Sequence, residues 1–428
     1  MLLTTATTRY GVLEGLELGN ASLFKGVPYA SPPVGNQRFR PPLPPKPWEG
    51  IRKAHTFPPI CPQPLQEEGS FYQKEFYDKK EFSSKMSEDC LYLNIWTPAK
   101  NENEKLPVAF WIHGGAFRHG WGHEKEFDGE AFCREGVILV TINYRVNFFG
   151  FLSHPWLVEE GNRGNFGLLD QIAALNWVYE NIHAFGGDKD NITVMGQSAG
   201  AYGVQCLTST PLTKGKVKKS IMQSGMGFMP DVESVITLEE ANKRGEALVS
   251  KLGITSVEEL REVPYEVLVK EVNGMFYAVI DDYVLSASCG DILLAGNSHR
   301  IPYLLGCTSN DHGTKSQGEG QLPISDIYHT KLNWVRILWE KYALPSYLYY
   351  FSRNPLGDYA GAFHSSELWY MFGTLDRSWR PKDEADYRLS EQMVSYWCNF
   401  IKNGDPNQEG LPIWQPCENG DIFIKNLR

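Results

Sequence analysis

Short, continuously apolar runs constrain this chain more than any other feature. Leu106-Pro-Val-Ala-Phe-Trp-Ile112, Gly136–Ile142, Ile192–Met195 and Lys219–Met222 follow one another, with helix-compatible stretches between them. A strand that is apolar on both faces must be covered on both, which calls for a parallel sheet under helices. Between the second and third runs, Leu168, Ile172, Leu175, Tyr179 and Ile182 step by four, three, four and three. That stripe predicts a helix over about Gly167–Asn181. Ile301–Leu305 and Tyr347–Phe351 predict further strands, and Ser390–Lys402 a closing helix stopped by Asn403-Gly-Asp-Pro406. The segment 230–300 is more helical and more charged, and reads as a cap or flank. Neither a linker nor an internal repeat divides the chain. The expectation is an α/β fold with one mostly parallel sheet, in a single domain over residues 1–428.

Composition narrows the function. Of the 428 residues, 42% are hydrophobic and 21% charged, a core-forming balance that excludes disorder. A net charge of −10 without any basic tract argues against a nucleic-acid surface. No run approaches the roughly 18 apolar residues of a membrane helix. Residues Met1–Tyr10 lack the basic and apolar regions of a signal peptide, so the chain is expected to be cytoplasmic and free of membrane contact. Eight cysteines without a Cys-x-x-Cys pair fit neither a disulfide scaffold nor a zinc site. His119 and His123 flank Gly-Trp-Gly, which is not helical, so they are not read as a metal pair. No metal or other cofactor is expected.

Gly196-Gln-Ser-Ala-Gly200 matches Gly-x-Ser-x-Gly, a weak signal alone. Its context strengthens it, because strand Ile192–Met195 leads in and helix-compatible Ala201–Leu207 leads out. A strand ending in a tight turn that opens a helix exposes Ser198 at the carboxyl edge of a sheet. A serine hydroxyl needs a base, and its oxyanion needs aimed donors. His113-Gly-Gly-Ala-Phe117 follows a strand directly, and its small residues leave N–H groups open. Gly115, Ala116 and Ala199 are the candidate donors, with Gly114 and Gln197 beside them.

These blocks, with Phe24–Ala30, Ser87–Trp96, Asn143-Tyr-Arg145, Phe149–Leu152, Gly164–Gln171 and Phe185–Asp188, resemble the type-B carboxylesterases. That group has the α/β-hydrolase fold and includes cholinesterases and bacterial para-nitrobenzyl esterases. The resemblance spans most of residues 10–225 and is looser beyond. It implies the chain order Ser, acid, His. His364, in Gly361-Ala-Phe-His-Ser-Ser-Glu-Leu, resembles the family's base, and Asp311 falls where most relatives carry Glu. Rivals for the acid are Asp281, Asp282 and Glu319, while His312 is a minor rival for the base, since adjacent strand-end side chains diverge. Ser224 resembles a serine that hydrogen-bonds near the acid. Gln197 replaces a common Glu, so a family ion pair is expected to be missing.

Cys61 and Cys90 align with a family disulfide closing a pocket-rim loop, though a reducing compartment would keep them as thiols. The loop carries Phe71-Tyr-Gln-Lys-Glu-Phe-Tyr77, aromatics mixed with charges. Asp311 and His364 stand 53 positions apart, shorter than is usual for the family, which implies a more open pocket. Phe117, Trp121, Phe148, Met226 and Trp369 are candidate pocket walls. The implied activity is hydrolysis of small-molecule carboxylic esters through an acyl-enzyme, by a monomer or weak homo-oligomer. Amide, carbamate or thioester cleavage uses the same groups, and a non-catalytic adhesion relative is the other alternative.

Overall fold

The computed structural model describes residues 1–82, 85–225, 235–312 and 326–428. Its centre is a ten-stranded sheet of β1 (Leu16–Leu18), β2 (Ala21–Pro28), β3 (Tyr92–Thr97), β4 (Leu106–Ile112), β5 (Ile138–Ile142), β6 (Gly187–Gln197), β7 (Lys219–Gln223), β8 (Tyr303–Thr308), β9 (Ser346–Phe351) and β10 (Ile424–Leu427). They lie in the order β10-β9-β8-β7-β6-β4-β5-β3-β2-β1. From β10 across to β5 every pairing is parallel; β3, β2 and β1 add on antiparallel. Val108–Ile112 of β4 and all of β5 are buried, as strands covered on both faces must be. Two apolar layers do the covering, one around Phe110, Leu168 and Leu175, the other around Trp111, Met393 and Trp397.

The helix beneath β6 runs Phe166–Asn181, one residue longer than the apolar stripe implies. It is buried beyond that stripe, because Asp170 also points inward and forms a bidentate ion pair with Arg145, Nε to Oδ2 and Nη2 to Oδ1 both at 2.8 Å. Arg38 and Glu88 make a second largely buried pair. Arg145, Asp170 and Glu88 belong to the sequence blocks named above, and the two pairs tie loops to the helix and to one another. The closing helix spans Glu384–Asn403 and begins six residues ahead of the apolar signal. Its first turns are polar, started by a reciprocal Asp383–Asp386 capping box and ended by Gly404 at φ 79°.

Segment 230–300 carries, over its described part, the helices Leu238–Lys251, Val257–Glu262, Tyr265–Lys270 and Cys289–Leu294. Strands Val235–Thr237 and Ala278–Ile280 pair in parallel within it. Asp281 is used structurally there: it accepts from the Asn165 amide and from the main-chain NH groups of Tyr283, Val284 and Leu285. Among the described residues, no helix is long and apolar enough to cross a membrane.

Candidate active site

β6 ends at Gln197, and Ser198 turns the chain at φ 56°, ψ −127° into helix Ala199–Ser209. An L-residue at this φ is strained, and the surroundings hold it there. The Ser198 NH donates to the Gln223 carbonyl at 2.9 Å, tying the turn to β7. A Cβ at Gly200 would lie 2.0 Å from the Ile112 carbonyl oxygen, and one at Gly196 would lie 2.6 Å from Gly200. The turn therefore closes only with glycine on both sides of Ser198.

β4 lies beside β6, so the loop after it meets this turn. Gly115, Ala116 and Phe117 have φ of 99°, 55° and 54°, three successive left-handed residues that turn the peptide NH groups out of any ladder. Among the described residues, the NH groups of Gly115, Ala116 and Ala199 make no hydrogen bond. Gly114 packs tightly, since a Cβ there would come within 3.1 Å of Ser198 Cβ.

β8 and β9 bring the last two groups together. The loop after β8 pairs with the segment before His364, with the Asn310 NH donating to the Ala362 carbonyl at 3.0 Å. His364 Nδ1 then donates to Asp311 Oδ1 at 2.5 Å, so the shorter aspartate arm reaches the imidazole. The His312 NH also donates to Asp311 Oδ1 at 2.8 Å. Burial raises the Asp311 pKa, but the His364 charge and hydrogen bond, with Ser224 and the His312 NH, outweigh it and hold the carboxyl below its usual range. Burial works the other way on His364, where the Asp311 charge and hydrogen bond, helped by Glu367, outweigh it and raise the imidazole above the ordinary value. At Nε2, His364 meets the side-chain amide of Gln197 at 3.2 Å. With the ring proton on Nδ1, the amide N–H donates to Nε2.

Ser198, His364, Gly114, Gly115, Ala116 and Gln197 line one cavity of about 150 Å³. Its other walls differ from the sequence expectation. Tyr72, Phe76 and Tyr77 of the rim loop, His119, Glu124, Glu126 and Phe127 after the glycine loop, and Leu368 supply them. Trp121 and Trp369 lie one layer behind, against Tyr77 and Phe76 with ring centroids 5.2 and 5.4 Å apart. Phe117 turns into the core against Phe151 and Tyr202, and Phe148 packs on Phe276 along a separate groove. Met226 and Glu319 lie outside the described residues. Asp282, in a left-handed turn beside Asp281, stays away from the cavity. His312 does not diverge: its ring folds back to 4.2 Å from His364 and faces the cavity. The rim loop is fastened, because Glu75 in its helix Phe71–Phe76 forms a buried ion pair with Arg380 at 2.8 Å. Cys61 and Cys90 are both buried thiols. The aromatic cluster at 71–77 was a signal for the rim wall; nothing local in the sequence indicated that Glu124–Phe127 would join it.

Comparison with known proteins points to one family. The model of the carboxylesterase family matches residues 3–333 and 323–425. The para-nitrobenzyl esterase of Bacillus subtilis (strain 168) is 34% identical, over 95% of this chain and 91% of its own. Carboxylesterase 1F of Mus musculus is 30% identical over 94% and 85%. A solved para-nitrobenzyl esterase superposes with a TM-score of 0.83 at 31% identity, covering 100% of this chain and 96% of its own. Its sheet is that of the α/β-hydrolases. The chain belongs to the carboxylesterase family of carboxylic ester hydrolases.

Proposed function

We propose that the chain hydrolyses small carboxylic esters with Ser198 as nucleophile, His364 as general base and Asp311 as the acid that orients it. Ser198 Oγ attacks the ester carbonyl carbon while His364 Nε2, once the Gln197 amide has swung aside, takes the hydroxyl proton. The NH groups of Gly115, Ala116 and Ala199 receive the oxyanion. Its collapse expels the alcohol, which leaves with the proton from His364, and water repeats the sequence on the acyl-enzyme. The observation that carries this reading is the meeting of Ser198, the His364–Asp311 pair and unengaged NH groups at one cavity.

In this reading residues 1–428 form one catalytic domain, with 61–90 as pocket rim and about 230–300 as flank. Ser224 supports the acid. The protein works in the cytoplasm as a monomer or weak homo-oligomer, its pocket more open than that of longer relatives. The test is turnover of a short-chain para-nitrophenyl ester by the wild type and by Ser198→Ala. Loss of turnover in the variant, with its unfolding midpoint unchanged, is expected. Undiminished turnover would overturn the assignment.

A further inference from the structure

The cavity beside Ser198 carries a side-chain donor that ester hydrolysis does not use. His119 lines it next to the oxyanion loop, packed so closely that a Cβ on Gly115 would lie 2.8 Å from its Nδ1. The other ring nitrogen, Nε2, meets the side-chain amide nitrogen of Gln66 at 3.0 Å. An amide N–H only donates, so Nε2 accepts and the ring proton sits on Nδ1. Among the described residues Nδ1 makes no hydrogen bond, yet it is not fully buried, so it opens on the cavity.

Burial, with the Arg118 charge beside it, holds the His119 pKa down at about 4. Near neutrality the ring is uncharged and offers a single N–H. The acidic groups on the same wall are spent on their neighbours. Glu124 accepts from the Trp121 NH at 3.0 Å and from the Tyr77 hydroxyl, and it shares a hydrogen bond with Glu126. Phe76 and Phe127 add apolar surface. A substrate that fills this space displaces water from Nδ1–H, and a chain without an acceptor then leaves the donor unpaired. A site of this kind discriminates against the analogue that lacks the acceptor.

Building on Ser198 as the esterase nucleophile, we propose that His119, held by Gln66, selects esters that carry an uncharged oxygen acceptor, such as an ether, within a few bonds of the ester carbonyl. The short reach follows from the contact with Gly115, whose NH faces the oxyanion. Nδ1–H donates to the acceptor, and the aromatic walls hold the rest of the chain. Alkyl esters of equal length fit those walls but strand the donor. His119 takes no proton in the reaction; it decides which ester is turned over. The acceptor sits on either the acyl or the alcohol side.

Two pairs of esters matched in length test this through kcat/KM of the full chain. Para-nitrophenyl γ-methoxybutanoate against para-nitrophenyl hexanoate probes the acyl side, and γ-methoxypropyl butanoate against pentyl butanoate the alcohol side. His119→Phe keeps a ring and removes the N–H. In one pair the ether-to-alkyl ratio should fall by about tenfold from wild type to variant, the effect of one stranded donor. Comparing ratios cancels the intrinsic reactivity and hydrophobicity of each ester. A ring that only supports the oxyanion loop would slow both members of a pair alike, so a ratio unmoved in both pairs overturns the proposal. If His119→Phe does not fold, the wild type decides through isomeric ethers of the same length. Moving the oxygen one place, to β-ethoxypropanoate or β-ethoxyethyl, must change kcat/KM by about fivefold or more in one series, after division by each ester's rate in alkali. Equal values in both series are fatal. Hydrolysis without ether selection refutes the role of His119 alone, whereas a wild type inert on all the esters refutes the esterase reading beneath it.

Discussion

The Gln197 amide sits 3.2 Å from His364 Nε2, the nitrogen that takes the Ser198 proton in the proposed mechanism. A neutral amide there holds the ring in the Nδ1–H tautomer without adding charge. The other titratable groups around His364 are Asp311, His312 and Glu367. Replacing the amide by a carboxylate, Gln197→Glu, adds a negative charge that favours the imidazolium. Since only the neutral ring accepts a proton, kcat/KM rises as pH climbs through the His364 pKa, which in the wild type already lies above the ordinary 6.5. The variant's midpoint is expected at still higher pH, measured from the acidic limb of the kcat/KM profile. An unmoved or lowered midpoint would contradict the contact.

Asp311→Asn removes the charge that raises the His364 pKa and favours the wrong tautomer. A fall in kcat of about 10³–10⁴-fold is expected, with the acidic limb moved to lower pH. Steady-state kinetics across pH would check both, and a loss of less than tenfold would mean that another group orients the ring.

Gly115→Ala tests the donor loop. Its Cβ would come 2.1 Å from the His119 carbonyl oxygen, at a φ of 99° that alanine resists. The loop must shift, misaiming the NH groups of Gly115 and Ala116. The expected loss is about 10²–10³-fold in kcat, with KM changing far less. A large rise in KM at constant kcat would place the loop's role in ground-state binding.

Glu75→Gln breaks the buried charge pair with Arg380, which retains Asp358 as a second partner. The cost is about 3 kcal/mol of folding stability, read from denaturant unfolding. The rim wall should also loosen, raising KM for aromatic esters. A variant as stable as the wild type would show that Asp358 alone neutralises Arg380.

Much of the sheet was legible because strands covered on both faces have little choice of residue. β4 coincides with the apolar run Leu106–Ile112. The helix at Glu384 was cut short because its opening turns face water, although its Asp383–Asp386 cap was there to be read. Ser198 and His364 stood out through motifs, where backbone strain and loop chemistry demand particular residues. The walls did not. Which aromatic reaches the cavity depends on how loops fold over the sheet, so Phe117, at φ 54°, turned inward while Tyr72 and Tyr77 took the surface. His312 defied the alternation rule because its backbone has left the strand by that point.

Arg380 fastens two things at once, Glu75 in the rim helix and Asp358 in the loop leading to His364. Roof and base thus share a rivet supplied from the far end of the chain. When it fails, substrate fit and proton transfer should go together, so mild heating ought to yield molecules that are whole or inert, with few crippled ones in between.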